Sequence, residues 1–303
     1  MIRAAKTNAQ QNRHCADFIT MLTNDVFLIV LLSAALNAGW NSAIKVGGDR
    51  ITAMAITTLA GSGLSLLALP WVDMPAATSW SLLVLSIVVH TAYHFALPVA
   101  YNHGDMGQVY PIARGSAPLL VMLGAALFAG EWPSSGALWG VTCLCAGVLS
   151  LALVRSAGHR ASQRRAVGYA LLTGVLIAAY TVVDALGARQ AGSAIGFAVM
   201  LTLGDGIATA LIVLLWKGPR TFCVDRAMLL RCGAAGSMQM GAYWIAVWAL
   251  ARAPMGAVSA LRETSVLLVA LISTWLLKER MGAARMVSVA LVCAGLLMVR
   301  LSS

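Results

Sequence analysis

The sequence predicts an all-α integral membrane protein: ten transmembrane helices in two inverted-topology five-helix repeats. Three observations carry that prediction. Of 303 residues, 60% are hydrophobic and 11% charged, and the mean hydropathy is +0.82, whereas a soluble domain carries about 25% charged residues. Apolar segments long enough to span a bilayer, roughly 20 residues each, recur along the chain with little between them. The two halves of the chain share landmarks in the same order. This composition excludes a soluble enzyme, a secreted scaffold and a disordered chain. The net charge of +10 would suggest nucleic acid in a soluble protein. Here the cations stand between apolar segments and read as anchors facing anionic lipid, so the expected surroundings are a lipid bilayer and no nucleic acid.

In order along the chain, residues 1–23 form a polar tail without the apolar stretch of a signal peptide. Met21 directly precedes the first span and is a second candidate start, which would leave the tail outside the native chain. Candidate helices fall at 24–46, 51–70, 79–101, 107–128 and 133–154, and then at 167–187, 194–216, 228–250, 255–277 and 282–301. Turn residues punctuate them, as at Gly47-Gly48-Asp49, Gly130 to Pro133 and Gly218-Pro219. The first repeat occupies 24–154 and the second 167–303; Arg155 to Ala166, rich in Arg, Ser and Gly, links them. Cys15, Cys143, Cys145, Cys223, Cys232 and Cys293 show no paired spacing, so neither a disulfide framework nor a metal knot is expected.

The halves align landmark by landmark. Trp40 falls opposite Tyr180, Ala92-Tyr93 opposite Ala242-Tyr243, and Met106-Gly107 opposite Met255-Gly256. Arg114 then meets Glu263, Glu131 meets Glu279, and Cys145-Ala146-Gly147 meets Cys293-Ala294-Gly295. Five spans per repeat is an odd number, so the second repeat enters the membrane from the opposite side. Inverted repeats of this kind recur in secondary transporters, with a substrate site near the midplane.

The residues also carry a resemblance. Ala34-Ala35-Leu36-Asn37-Ala38-Gly39-Trp40-Asn41 through Lys45, Tyr101-Asn102-His103-Gly104-Asp105 and Tyr110-Pro111-Ile112-Ala113-Arg114-Gly115-Ser116-Ala117-Pro118 resemble the EamA-like branch of the drug/metabolite transporter superfamily. So do Glu131 and Glu279, each before a Gly-rich helix. The resemblance covers the chain after Asn24. It implies ten helices in two inverted repeats, both termini in the cytoplasm, and movement of small metabolites, often export of amino acids or related solutes.

Polar residues within the spans are the candidates for function, because a charge at the bilayer centre costs about 2.5–3.5 kcal/mol on insertion scales. Arg114, Asp184, Asp205, Arg262 and Glu263 qualify, with Asp184 and Asp205 nearer to span ends. The equivalence of Arg114 and Glu263 predicts an ion pair across the pseudo-two-fold axis, and Arg262 is a rival partner for Asp184 or Asp205. Asn37, Trp40, Asn41 and Lys45 recur at helical spacing on one stripe, echoed by Tyr180 and Thr181. His90, Tyr93, His94, Leu97 and Tyr101 share another face, matched by Gln239, Tyr243, Trp244 and Trp248. The paired histidines lack a third ligand, since His103 and Asp105 stand at the surface, so no metal is expected. For all of these residues the competing role is structural, as polar contacts between helices.

The reading is therefore a multi-pass protein of the cytoplasmic (inner) membrane, a secondary transporter exporting amino acids or related small polar metabolites, with no enzymatic activity and no cofactor. Helices 1, 3, 4, 6, 8 and 9 are expected to line its cavity. Substrate contacts are expected at Asn37, Trp40, Asn41, Tyr93, His94, Tyr110, Arg114, Tyr180, Gln239, Tyr243, Trp244 and Glu263, with Glu263, Asp184 and His90 as proton-coupling candidates. An intramembrane lipid-modifying enzyme and a non-transporting sensor or assembly partner are the alternatives. Gly136, Gly140, Gly147, Gly282 and Gly295 suit close helix packing or homodimer contacts. Charge places six Lys or Arg on the side of the termini and thirteen opposite, which by the positive-inside rule puts the termini outside, against what the resemblance implies.

Overall fold

The computed structural model describes residues 23–44, 49–104, 106–153, 160–268 and 283–302. Lys45, Asp105, Trp275, Glu279, Gly282, the tail with Met21, and Arg155 lie outside the described residues. The described residues form ten α-helices and no strand: α1 Asn24–Ile44, α2 Arg50–Ala68, α3 Trp80–His103, α4 Met106–Ala129, α5 Ser135–Leu153, α6 Arg160–Gln190, α7 Ala194–Lys217, α8 Arg226–Leu250, α9 Met255–Arg262 and α10 Ala283–Ser302. Their limits follow the apolar runs, because backbone polar groups in lipid must be satisfied within the segment. α6 starts earlier than its apolar run, inside the stretch read as a linker.

Five helical segments among the described residues are long and apolar enough to cross a membrane: Arg50–Trp71, Ala77–His103, Gln108–Ala129, Arg164–Gln190 and Ala194–Lys217. Shorter apolar helices cover Ser135–Leu151 and Met286–Ser302. The expected span at 255–277 differs most: α9 ends at Arg262, Glu263 stands in a turn, and helix resumes over 264–268.

Side chains cap the helices where polar loops meet them. Asp49 caps α2, accepting from the Ile51 amide at 3.3 Å and the Thr52 hydroxyl at 2.6 Å. Ser193 caps α7 through the Gly196 amide at 3.0 Å, and Asp225 caps α8 through the Met228 amide at 2.8 Å. Each cap satisfies a donor that the first turn leaves free. Gly218 closes α7 at a φ of 81°, a left-handed conformation that only glycine adopts without strain.

The bundle packs by a regular rule. α1 lies on α8 and α6 on α3; α2 lies on α8 and α7 on α3; α4 lies on α6 and α9 on α1; α4 lies on α5 and α9 touches α10. α2 packs on α7, and α5 on α10. Advancing every helix number by five, with return to the start after ten, carries this set of contacts into itself. Close approach relies on small residues: a Cβ on Gly140 would stand 2.8 Å from the Val299 nitrogen and 2.9 Å from the Gly295 oxygen. Polar ties reinforce the pairs, Ser33 donating to the Ala242 carbonyl at 2.6 Å and Ser62 to those of Thr202 and Leu203 at 2.9 and 3.0 Å. Trp71, Trp80, Trp132, Trp139 and Trp216 are exposed near helix ends, as interfacial aromatic belts require.

Candidate functional site

A cavity lies between the two halves of the bundle. It opens about 60 Å³ to the centre of a water-sized molecule, against roughly 10–15 Å³ for a single water. Asn37, Trp40 and Asn41 reach it from α1, His90, Tyr93 and His94 from α3, and Tyr110 and Arg114 from α4. Tyr180 enters from α6, Gln239 and Tyr243 from α8, and Arg262 from the end of α9. Ten of the twelve expected contact residues thus line one space. Trp244 does not: its indole donates to the Thr202 hydroxyl at 3.1 Å. Glu263 is buried beside the cavity, behind Arg114. Trp248, expected on the same face, instead lies under the Arg252 guanidinium at 4.6 Å.

Sequence reasoning missed the contribution of α2 and α7. Thr58, Gly61, Leu201, Thr202 and Asp205 complete the lining, and the one signal that pointed there was Asp205, a charge inside an apolar run. Asp184 is fully buried and Asp205 is 8% exposed.

One pole of the cavity is cationic. The Arg114 Nε lies 3.4 Å from a Glu263 carboxylate oxygen, as the repeat alignment predicts, and its Nη2 donates to the Ser265 hydroxyl at 3.4 Å. The 3.4 Å approach brings the charges together without aligning a hydrogen bond, so the Arg114 Nε and the Glu263 Oε2 remain unbonded. Asn37 donates to the same Ser265 hydroxyl at 3.1 Å and accepts from the Trp40 indole at 2.9 Å, which fixes the polar stripe of α1. Asn41 donates back to the Asn37 carbonyl at 2.8 Å. Arg262 pairs with neither Asp184 nor Asp205, contrary to the rival pairing considered from the sequence. Arg262 directly precedes Glu263, the partner of Arg114, and both aspartates are occupied by other partners.

The other pole holds two histidine–aspartate pairs. Asp184 accepts from the hydroxyls of Ser86 and Tyr243 and lies 3.2 Å from the His90 Nε2. His90 also meets the Tyr243 hydroxyl at 2.9 Å and stacks on Tyr180 with ring centres 4.0 Å apart. Asp205 accepts from Thr91 at 3.3 Å and lies 3.3 Å from the His94 Nδ1, which also meets the Thr209 hydroxyl at 3.3 Å. Among the described residues, no three His, Cys, Asp or Glu side chains gather as a metal site.

A larger cleft of about 550 Å³ lies at the end of the bundle where α4 finishes, around Glu131 and Arg189. None of the expected site residues lines it.

The chain is similar in fold to a solved crystal structure of a protein: the TM-score is 0.72 at 18% sequence identity, over 91% of this chain and 95% of the other. No curated protein matches it. Residues 164–301 match the EamA-like transporter family, the family that the motifs of the first half resemble.

Proposed function

We propose that this protein is a secondary transporter of a small polar metabolite in the cytoplasmic membrane, exporting amino acids or related solutes by alternating access. The observation that carries the reading is the cavity itself: buried, lined from both halves of the chain, and furnished with charges of both signs. Lipid-facing packing gives no reason to bury Arg114, Arg262, Asp184, Asp205 and Glu263 together, because each is expensive in a bilayer unless partnered or used. The contact pattern, unchanged when every helix number advances by five, supports an inverted duplication in which ten spans form two rocking units.

In this reading the cationic pole and the aromatic wall of Tyr93, Tyr180 and Tyr243 meet the solute, with Asn41 at their edge. Asp184, His90 and Glu263 carry protons if flux is driven by a pH gradient. The test is reconstitution into proteoliposomes, with substrates nominated by comparing metabolite pools of cells with and without the protein. Asn41→Ala, Tyr93→Ala and Tyr243→Ala should each slow flux at normal insertion levels. Unchanged flux in all three would move the substrate path elsewhere.

A further inference from the structure

We infer that the cationic pole is a receptor for a carboxylate head group, and that Arg262 is its principal ligand, with Arg114 and Tyr110 beside it. The inference rests on the proposed transport and names the class of substrate. Arg262 is 6% exposed, lines the cavity, and its Nε has no hydrogen-bond partner. Tyr110 is 8% exposed and its hydroxyl is likewise unpartnered in the same cavity. The Arg114 Nε also lacks a hydrogen bond, but its charge is met by Glu263 at 3.4 Å and its Nη2 donates to Ser265. Native proteins rarely leave a buried donor unmade, because the lost solvation of that group is not returned. Two such donors, one of them cationic, on residues that line one cavity mark where an acceptor belongs.

The charge count selects the acceptor. Arg114 is already matched by Glu263, so Arg262 is the cation beside it left for an anion to meet. A guanidinium receives the two oxygens of a planar carboxylate through parallel N–H donors. The phenol of Tyr110 adds a donor of its own. The helix break at Glu263 contributes by ending α9 at Arg262, so the arginine stands at a helix terminus rather than in mid-span.

The full chain, purified in detergent, would be tested by thermal unfolding and equilibrium binding. The probes are the twenty amino acids, acetate, lactate and succinate, each amino acid's carboxamide, and methylphosphonate. At least one free carboxylate should raise the melting temperature and its carboxamide should not. Arg262→Gln should weaken that binding about ten- to hundred-fold, the loss expected for a charged hydrogen bond. Ligand-free Arg262→Gln should melt no lower than the parent, because it removes a buried charge that lacks a hydrogen-bond partner. Arg262→Lys keeps the charge without the fork, and should bind more weakly than the parent but more tightly than the glutamine variant.

The inference is overturned if carboxamides or methylphosphonate bind as well as carboxylates, if no probe binds, or if Arg262→Gln binds normally. A ligand-free Arg262→Gln that melts well below the parent would make the arginine a brace and overturn it too. Carboxylate binding without flux would sink the transport reading and leave this site standing. Flux of a solute without a carboxylate, unimpaired in Arg262→Gln, would do the reverse.

Discussion

Asp184 shows how a single residue organises half of the site. Its fully buried carboxylate collects the hydroxyls of Ser86 and Tyr243 and the imidazole of His90, joining α3, α6 and α8. The sequence made Asp184 and His90 conspicuous separately, because an ionisable group in an apolar run needs a task or a partner. That they are partners could not be read, since spacing along one helix does not say which other helix it faces. The same limit explains Arg262: its presence was legible, its side of the cavity was not. For Arg114 and Glu263 the alignment of the two halves supplied a register, and the two side chains do meet. If Asp184 relays protons, then Asp184→Asn, which keeps the shape and drops the charge, should leave flux insensitive to an imposed proton gradient. Glu263→Gln tests a second of the three candidates in the same assay. A full gradient response in both variants would assign coupling elsewhere, and a parent whose flux ignores the gradient would indicate a facilitator.

Helix limits were legible because apolar runs and turn residues define them, and most agree with the sequence reading to within a few residues. The main exception is the break at Glu263, where no Gly or Pro announces a turn and the one signal is the polar run Arg262-Glu263-Thr264-Ser265 inside an apolar segment. α2 and α7 escaped notice as cavity walls because Thr58, Gly61 and Thr202 are ordinary residues for a membrane helix. Small residues nevertheless decide how closely the helices approach. Gly140→Ala should destabilise the protein by about 1–3 kcal/mol, since its Cβ would meet backbone rather than a movable side chain. Gly63→Ala, with nothing within 4 Å of its Cβ, should cost nothing in the same melting assay; equal losses at both sites would contradict the packing account. At the loop before α2, burial raises the Asp49 carboxyl, but the Lys217 ammonium, the Thr52 hydroxyl and the Ile51 amide outweigh it and hold the group below its ordinary 3.8. Because the folded value is the lower one, the stabilisation is present above that ordinary value and fades as pH falls through the folded value. Asp49→Ala should lose about 1 kcal/mol as a cap, and its deficit against the parent should shrink as pH falls below about 4. A deficit independent of pH would mean that the charge contributes nothing.

The alternating access proposed above would ask the whole molecule to open one end while the other stays shut. Both ends of the bundle carry an ion pair, and the two are unequal. Where α4, α6 and α8 finish, Glu131 pairs with Arg189 and also accepts the Met255 amide at 2.9 Å. Arg189 in turn donates to the Leu250 and Ala253 carbonyls at 3.0 and 3.1 Å. Two side chains thereby bind the ends of α4 and α6 to the α8–α9 turn. At the other end Lys217 meets Asp49, with side chains 27% and 48% exposed against 16% and 19% for the first pair. The more exposed pair is the more screened and the weaker hold, so the Lys217–Asp49 end should open first. With the native cysteines replaced and a single cysteine at Gln239 in the cavity, a membrane-impermeant maleimide should react from the Lys217 end in the parent. Glu131→Gln should raise labelling from the Glu131 end. Cys223, exposed near Lys217, identifies the faces when kept as the single cysteine. In the ten-span reading thirteen of the cations fall on its side against six on the other, so it should react in inverted vesicles and not in intact cells. Reaction in intact cells would reverse the orientation and place the termini inside, as the family resemblance implies. Unchanged labelling at Gln239→Cys when Glu131 is neutralised would show that the Glu131–Arg189 contact fastens loops together without closing the path.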